Sequence, residues 1–282
     1  MQAEPHHKKG SSMRYSLACA ALGLLVSTPA FAQEEITSPV TVSGSVGLVS
    51  DYRFRGVSQT DEEMAVQGGI TVTHESGAYA GTWASNLAGW GTFGGSNMEL
   101  DLFAGYAIPI ASGATLDVGL TWYMYPGGYS NTDFAEPYAK LSGTVGPAKL
   151  LAGVAYAPKQ QALGNYSNTP QSNGQKQDNL YLWGDASTGI PSTPLTLKAH
   201  LGYSNGNPGL GPNGTSLAPT GEYMDWMIGA DAALGPVTVG VAYVDTNISK
   251  SESAYLQPNF SSTKDGSSIA AGQVVFSVSA AF

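Results

Sequence analysis

Apolar residues take alternate positions in a series of short segments along this chain. The stretch VTVSGSVGLV, at residues 40–49, places valine or leucine at most even-numbered positions and mainly Thr, Ser or Gly between them. A period of two predicts a β-strand with one apolar and one polar face, and about ten residues suffice for a tilted strand to cross a membrane. Twelve segments show this pattern, with predicted bounds 40–54, 64–74, 78–87, 98–108, 115–125, 134–144, 148–157, 179–188, 195–204, 223–234, 237–244 and 270–282.

The connections between these segments alternate in length. Five short turns lie at 75–77, 109–114, 145–147, 191–194 and 235–236, and they consist largely of turn-forming residues. Six longer connections lie between them, at 55–63, 88–97, 126–133, 158–178, 205–222 and 245–269. Tight periplasmic turns that alternate with long external loops are typical of an outer-membrane barrel. The predicted fold is therefore all-β: an antiparallel transmembrane β-barrel of 12 strands.

Composition favours this interpretation over a soluble β-sandwich, the alternative that the alternation alone leaves open. Charged residues make up 12% of the 282-residue chain, against roughly 25% in ordinary soluble proteins, yet the mean hydropathy is only −0.07. A low fraction of charged residues together with a moderate mean hydropathy is typical of a barrel wall that has one lipid-facing and one water-facing side. A monomer soluble without detergent would indicate the sandwich, for example a lectin-like secreted domain.

The N-terminus predicts export. Met13 and Arg14 precede the apolar stretch SLACAALGLLVSTPAFA, which ends in an A-x-A cleavage pattern at Ala32. We interpret 1–32 as a leader and Sec signal peptide that starts at Met13 and is cleaved after Ala32, because the apolar run is too short for a membrane anchor. Residues 33–39 would be a periplasmic tail and 40–282 the barrel.

Cleavage would change the charge and the thiol content. It would remove the single cysteine, Cys19, so that no disulfide is expected in the mature chain. It would also remove three of the 12 basic and one of the 21 acidic residues, leaving a net charge of about −11. That balance makes nucleic acid a poor partner.

Aromatic residues and the C-terminus agree with a membrane barrel. Rings on the apolar side of the strands predict a belt at each lipid headgroup level, although aromatics are also simply enriched in strands. The outer belt would contain Tyr52, Phe54, Trp122, Tyr156, Tyr203, Trp226 and Tyr243, and the opposite rim Tyr106. The ending VVFSVSAAF, with Phe282 last, resembles the signature by which outer-membrane barrels are recognised for assembly. Expected partners are therefore outer-membrane lipid and the barrel-assembly machinery, through the C-terminal strand.

Three stretches together resemble a known family. SDYRFRGVSQTDEEMAVQGGI, HESGAYAGTWASN and ELDLFAGY are similar to the TorF-type porins, also called the Gcw_chp family. The resemblance covers about the first third of the mature chain, and Met64 departs from it, standing at the loop-to-strand junction where a proline would be expected. The resemblance implies an outer-membrane β-barrel with diffusion activity and no established substrate.

The polar side of the strands predicts the lining of the interior, because a charge that faces lipid costs a few kcal/mol near the bilayer midplane. Arg53 and Arg55 would form a basic rung on the first strand, opposed by Glu99 and Asp101; alternatively, such charges pair and plug the barrel. The pore-lining candidates are Arg53, Arg55, Glu99, Asp101, Asp117, Glu136, Lys140, Asp185, Lys198, His200, Asp225 and Asp231.

These features predict a porin-like channel for passive diffusion of small solutes or ions, with a preference for cations because acids outnumber bases inside. The alternative is a closed barrel with a structural, adhesive or recognition role through its external loops. An outer-membrane lipid hydrolase is a minor alternative, because Ser204 and His200, four residues apart on one strand, are about 13 Å apart. We expect no enzyme activity, no cofactor and no metal site, since His74 and His200 are the only histidines after the leader.

Overall fold

Twelve antiparallel strands close into a barrel. We describe a computed structural model over residues 39–111, 113–164, 174–211 and 214–282, so that the predicted leader, its cleavage site and most of the predicted tail lie outside the described residues. The barrel strands are β1 (Val40–Val49), β4 (Ala65–His74), β5 (Ala78–Asn86), β6 (Met98–Ala111), β7 (Ala114–Met124), β8 (Phe134–Val145), β9 (Ala148–Gln160), β10 (Gln177–Gly189), β11 (Leu195–Gly206), β12 (Glu222–Leu234), β13 (Val237–Thr246) and β14 (Gln273–Ala281). Strands β2 (Arg53–Phe54) and β3 (Val57–Ser58) form a separate hairpin.

Each barrel strand pairs with its sequence neighbour, and the first pairs with the last. Strand β1 pairs with β4 from Val40↔His74 to Val49↔Ala65 and with β14 from Ser45↔Ala281 to Val49↔Ser277. Closure leaves no free sheet edge, which is the arrangement that lets strands lie in hydrocarbon. The predicted 12-strand antiparallel barrel is confirmed.

The outside of the barrel is apolar. Side chains such as Val42, Val66 and Ile228 expose 62%, 56% and 69% of their surface, and Ile228 lies on the strand parity opposite to that of the buried Asp225 and Asp231. A continuous apolar surface of this kind needs a lipid environment, whereas a soluble domain would bury it. The barrel is therefore a membrane barrel with its polar residues inside. Among the described residues, no helix is long and apolar enough to cross a membrane.

The first external loop departs from the prediction. We expected the first strand to extend to residue 54, but β1 ends at Val49, and the chain then folds into the barrel as the β2–β3 hairpin. Arg55 and Gly56 form its two-residue turn with φ of 49° and 79°, the positive values that a tight hairpin of this kind requires. We call residues 50–64 the plug loop.

Other external loops cover the outer mouth. The 3-10 helix at Gly89–Thr92 and the helix α1 (Lys250–Ala254) lie in two of them. Trp90 contacts Phe260 edge-on, with 5.1 Å between ring centroids, and the rings of Phe93 and Tyr125 are 4.4 Å apart. These loops also bury Phe260 completely, together with Ile269 and Ala270. We call this cluster of loop residues the apolar cap.

Solvent access to the inward-facing residues changes along the barrel. On β1, Thr41 and Ser43 are exposed near the periplasmic end, whereas Gly47 and Val49 are buried toward the outer end. On β8, Thr144 is exposed at the periplasmic end, and the inward-facing residues nearer the outer end are buried or half-buried. The plug loop and the apolar cap therefore close the barrel from its outer side.

Candidate functional site

The barrel interior contains the candidate site, because every charged residue that the sequence assigned to it lies there. Ten of the twelve pore-lining candidates are buried, and Asp185 and His200 are partly buried with side chains 19% and 13% exposed. Burial of this many charges is expected only when they are paired or hydrogen-bonded. The pairs they form differ from those expected from the sequence.

The predicted basic rung on the first strand is wrong. Arg53 and Arg55 lie on the plug loop, and neither pairs with Glu99 or Asp101. Arg53 Nε lies 2.5 Å from Asp51 Oδ2, and Arg53 Nη2 lies 3.4 Å from Glu62 Oε1. Arg53 Nη1 donates to the carbonyl oxygens of Gly56, Ile269 and Ala271 at 3.0, 3.2 and 2.8 Å. Arg53 therefore connects the plug loop to the loop before β14.

The Glu62 carboxyl of the plug loop is partly buried, and this affects its ionisation. Burial raises the pKa of the Glu62 carboxyl, and the neighbouring Arg53 guanidinium partly opposes that shift. The first effect depends on the plug loop lying inside the mouth, whereas the second arises within the loop, which contains both residues.

Arg55 is bound by the barrel wall. Its Nη2 lies 2.7 Å from both carboxylate oxygens of Glu136 on β8, and its Nη1 donates to Asn179 Oδ1 on β10 at 2.9 Å. The guanidinium carbon lies 4.1 Å from the ring centroid of Tyr181, also on β10. The Arg55 and Glu136 side chains are each only 3% exposed. Tyr223 on β12 donates its hydroxyl to the Arg55 carbonyl at 3.1 Å. Side chain and backbone of the turn are thus both held by wall strands.

Other charges pair within the wall itself. Lys140 Nζ lies 2.8 Å from Asp117 Oδ2, and Lys198 Nζ lies 2.7 Å from Asp231 Oδ1. His200 lies between two carboxylates, with Nδ1 2.6 Å from Asp185 and Nε2 3.1 Å from Asp225. The hydroxyl of Tyr181 lies 2.9 Å from His200 Nε2. The interior is therefore a set of ion pairs on the wall, to which the plug loop adds two arginines.

Glu99 and Asp101 differ from the other acids. Tyr52 donates its hydroxyl to both oxygens of Glu99 at 3.2 Å, and neither acid pairs with a base among the described residues. Asp101 is 2% exposed, and its Oδ1 has no hydrogen-bond partner within the described part of the chain. Within this buried acid pair on β6, Glu99 is therefore held by Tyr52 of the plug loop and not by a base.

Comparison with family models identifies the family of this chain. The model of a family described as bacterial proteins of unknown function (Gcw_chp) matches residues 33–282. The chain belongs to the Gcw_chp family. No curated protein sequence matches it.

Solved structures similar to this Gcw_chp protein are β-barrels. The NanC porin is 12% identical with a TM-score of 0.53, and the alignment covers 86% of this chain and 99% of that one. The KdgM porin is 11% identical with a TM-score of 0.51, covering 85% of this chain and 99% of that one. At these identities the likeness shows that the Gcw_chp chain shares the fold of an outer-membrane porin.

Two members of the predicted aromatic belt are placed wrongly. Tyr52 is 4% exposed and contacts Trp83 inside the barrel, and Phe54 packs edge-on against Tyr123 with 5.9 Å between centroids. The sequence misplaces both because the plug loop leaves the wall after Val49. The other predicted belt residues of this Gcw_chp protein have exposed or half-exposed side chains: Trp122, Tyr156, Tyr203, Trp226, Tyr243 and Tyr106. Phe282, the predicted assembly signal, is 75% exposed.

Several interior residues of the Gcw_chp chain were absent from the sequence candidates. Asp51 binds Arg53, while Asn179 and Tyr181 bind Arg55. The inward parity of Asn179 and Tyr181 on β10 was readable from the alternation, but nothing in the sequence marks these two residues as partners of a distant arginine. Within the described ranges, no group of three or more His, Cys, Asp or Glu residues is arranged to hold a metal ion.

Proposed function

We propose that this protein is a porin-like channel for passive diffusion of small solutes or ions across the outer membrane, with a preference for cations. The observation that carries the proposal is a closed barrel with an acidic interior. Among the residues that the structure describes, the buried charged ones are eight acids, Asp51, Asp61, Glu99, Asp101, Asp117, Glu136, Asp225 and Asp231, and four bases, Arg53, Arg55, Lys140 and Lys198. The porin fold of the similar solved structures supports the same proposal.

In this proposal the plug loop is the gate. It is held inside the mouth by hydrogen bonds and ion pairs, which can exchange for contacts with water, and it is not part of the barrel wall. Since Arg53 and Arg55 both belong to it, its departure removes two of the four buried cations. Six of the eight acids and two lysines then remain on the described part of the wall, and such a lining favours cations.

The structure offers a direct way to remove the gate. Val49 and Ala65 are paired on adjacent strands, so an Asn-Gly turn can replace residues 50–64 without changing the register. In planar bilayers, we expect the shortened barrel to give larger and longer single-channel steps than the wild type. A shortened barrel that folds, as judged by heat-modifiable gel mobility, and gives no steps would contradict the channel proposal.

Cation preference predicts the sign of the reversal potential. In a salt gradient, the shortened barrel should reverse on the cation side, and Glu99→Gln with Asp101→Asn should reduce its cation-to-anion permeability ratio by about twofold or more, because two lumen carboxyls that no described base pairs with are lost. Asp265→Asn is the matched control, since this carboxyl lies in an exposed stretch of the loop before β14. A reversal on the anion side, or an equal effect of the control, would overturn the preference.

The closed barrel is the second candidate function, and the apolar cap favours it. Phe260, Ile269 and Ala270 are each 0% exposed, which is more complete burial than a freely open mouth requires. A structural or surface-recognition barrel would keep this cap closed at all times. The same bilayer recording distinguishes the two functions, because a structural barrel gives no steps even without its plug loop.

A further inference from the structure

The barrel wall has a recess at the place where Arg55 binds. Strand β9 lies between β8 and β10, and at this level its inward residues are Ala155 and Ala157, which are 4% and 0% exposed. Asn179 pairs with Ala157, and Tyr181 pairs with Ala155. Two small residues between larger neighbours leave space for a flat group, and the Arg55 guanidinium fills that space.

The groups around the recess match a guanidinium ion. Glu136 supplies a carboxylate, Asn179 an amide oxygen at 2.9 Å, and Tyr181 a ring face at 4.1 Å. A planar cation with several N–H donors can bind all three at once, whereas a compact ammonium is a point charge that does not stack in the same way. We call Glu136, Asn179 and Tyr181 the guanidinium site.

All three residues belong to wall strands, β8 and β10. The site therefore keeps its residues when the plug loop leaves, and it then faces the lumen with a carboxylate that has lost its cation. The vacated site should attract a replacement cation from solution.

We propose that the guanidinium site binds small organic cations with a guanidinium head group, and that these cations are solutes of the channel and compete with Arg55 for the site. The solute role rests on the proposed channel function. A ligand that binds only after Arg55 has left stabilises the open state by that binding. The ligand would thus help to open the channel through which it passes.

Tethering sets the concentration at which this competition occurs. Arg55 is attached to the wall through the plug loop, so its effective concentration at the site is on the order of millimolar or above. A free guanidinium solute must therefore be present at comparable concentration in the wild type, and removal of the Arg55 side chain should lower its apparent dissociation constant by at least about tenfold.

Arg53 provides an internal comparison. Its partners are Asp51 and Glu62 of the plug loop itself and carbonyl oxygens of residues 56, 269 and 271. When the plug loop moves, that set of partners comes apart, so that Arg53→Ala should leave no preformed cation site. The two arginines are on the same hairpin and are equally buried, 3% exposed each.

The binding test uses methylguanidinium as the probe and Arg55→Ala in detergent. At up to about 10 mM, far below denaturing concentrations, methylguanidinium should raise the apparent thermal midpoint of Arg55→Ala saturably, by about 2–4 °C. Methylurea, its neutral analogue, should give no such rise. Arg53→Ala and the double variant Arg55→Ala/Glu136→Gln should not respond to methylguanidinium. Equal responses to both probes, or in all variants, would overturn the guanidinium site.

The transport test uses the wild type and therefore does not depend on the folding of a variant. L-arginine on the external side should raise the fraction of time that single channels are open several-fold over L-citrulline, an amino acid of the same shape with an uncharged side chain. Equal effects of the two amino acids would overturn the proposed competition. The two proposals fail in different ways: a folded shortened barrel without conductance contradicts the channel, whereas a conducting Arg55→Ala barrel that ignores methylguanidinium contradicts only the site.

Discussion

Arg55→Ala should convert the barrel from a mostly closed state to a mostly conducting one. The substitution leaves Glu136 buried without its cation, and breaking a buried ion pair in this way costs about 3–5 kcal/mol. That cost applies to the plugged conformation, because water reaches Glu136 once the loop leaves. We expect the ratio of open to closed channels to rise by about 100-fold or more. Single-channel recording in planar bilayers measures this ratio directly.

A double-mutant cycle isolates the ion pair as the cause. Glu136→Ala should also favour the open state, because Arg55 then lacks its carboxylate. The double variant should be less open than the sum of the two single effects predicts, since neither charge is left unpaired. Lys264→Ala is the control: its pair with Glu63 is exposed, with side chains 48% and 63% accessible, and exposed pairs contribute little. Strictly additive effects would contradict gating by this pair.

The alternation of apolar and polar residues is sufficient to predict the barrel. It gives all twelve wall strands, and apart from the end of β1 the observed strand ends lie within three residues of the predicted ones. The reason is physical. Each wall strand has lipid on one side and a polar interior on the other, so that the polarity of a residue indicates which side it faces. Turn residues then fix where the direction reverses.

The plug loop escapes the same reasoning because its sequence imitates a wall strand. Tyr52, Arg53, Phe54 and Arg55 alternate aromatic and charged residues, which continues the period of two beyond Val49. The signal that distinguishes them is Gly56, which follows Arg55 and provides a positive φ for a tight turn. A tight-turn signal directly after the alternating residues indicates that the chain folds back on itself there.

The partners of the arginines are inaccessible to sequence reasoning for a different reason. Arg55 lies 81 residues from Glu136 and 124 from Asn179, and the contact exists only because one loop folds inward. Strand pattern determines which residues face the lumen. It does not determine which loop enters the lumen. The sequence therefore predicts which charged residues lie inside the barrel, but it does not predict which of them form pairs.

Plug loop and apolar cap stabilise each other. Arg53 donates to the carbonyl oxygens of Ile269 and Ala271 in the loop that carries Phe260, and Asp61 of the plug loop accepts from the backbone N–H of Thr263 at 3.0 Å in that same loop. In the proposed gate, opening therefore requires both to move, or requires the plug loop to break these contacts first. A weakened cap should favour the open state even with Arg55 intact.

Phe260→Ala should loosen the cap while the barrel itself stays folded. Phe260 is 0% exposed and contacts Trp90, and truncation of a buried phenylalanine costs about 3–5 kcal/mol. Local opening of the cap should then be about 100-fold more frequent or greater. Trypsin cleavage after Lys264, in the same loop, measures that opening, because cleavage follows the population of the opened state when reclosing is fast. Heat-modifiable gel mobility reports whether the wall strands are still closed.

Two further variants test whether faster cleavage results from lost packing at Phe260 or from the loss of any aromatic ring in the external loops. Phe260→Leu keeps most of the buried volume, so its cleavage should be intermediate. Tyr129→Ala removes an aromatic side chain from another external loop, but that side chain is 62% exposed, and we expect cleavage within about threefold of the wild type. If Phe260→Ala were cleaved no faster than Tyr129→Ala, the cap would not restrain the loop that holds Arg53. The plug loop would then be kept in the mouth by its ion pairs alone, chiefly the pair between Arg55 and Glu136. The apolar cap would not contribute to closure.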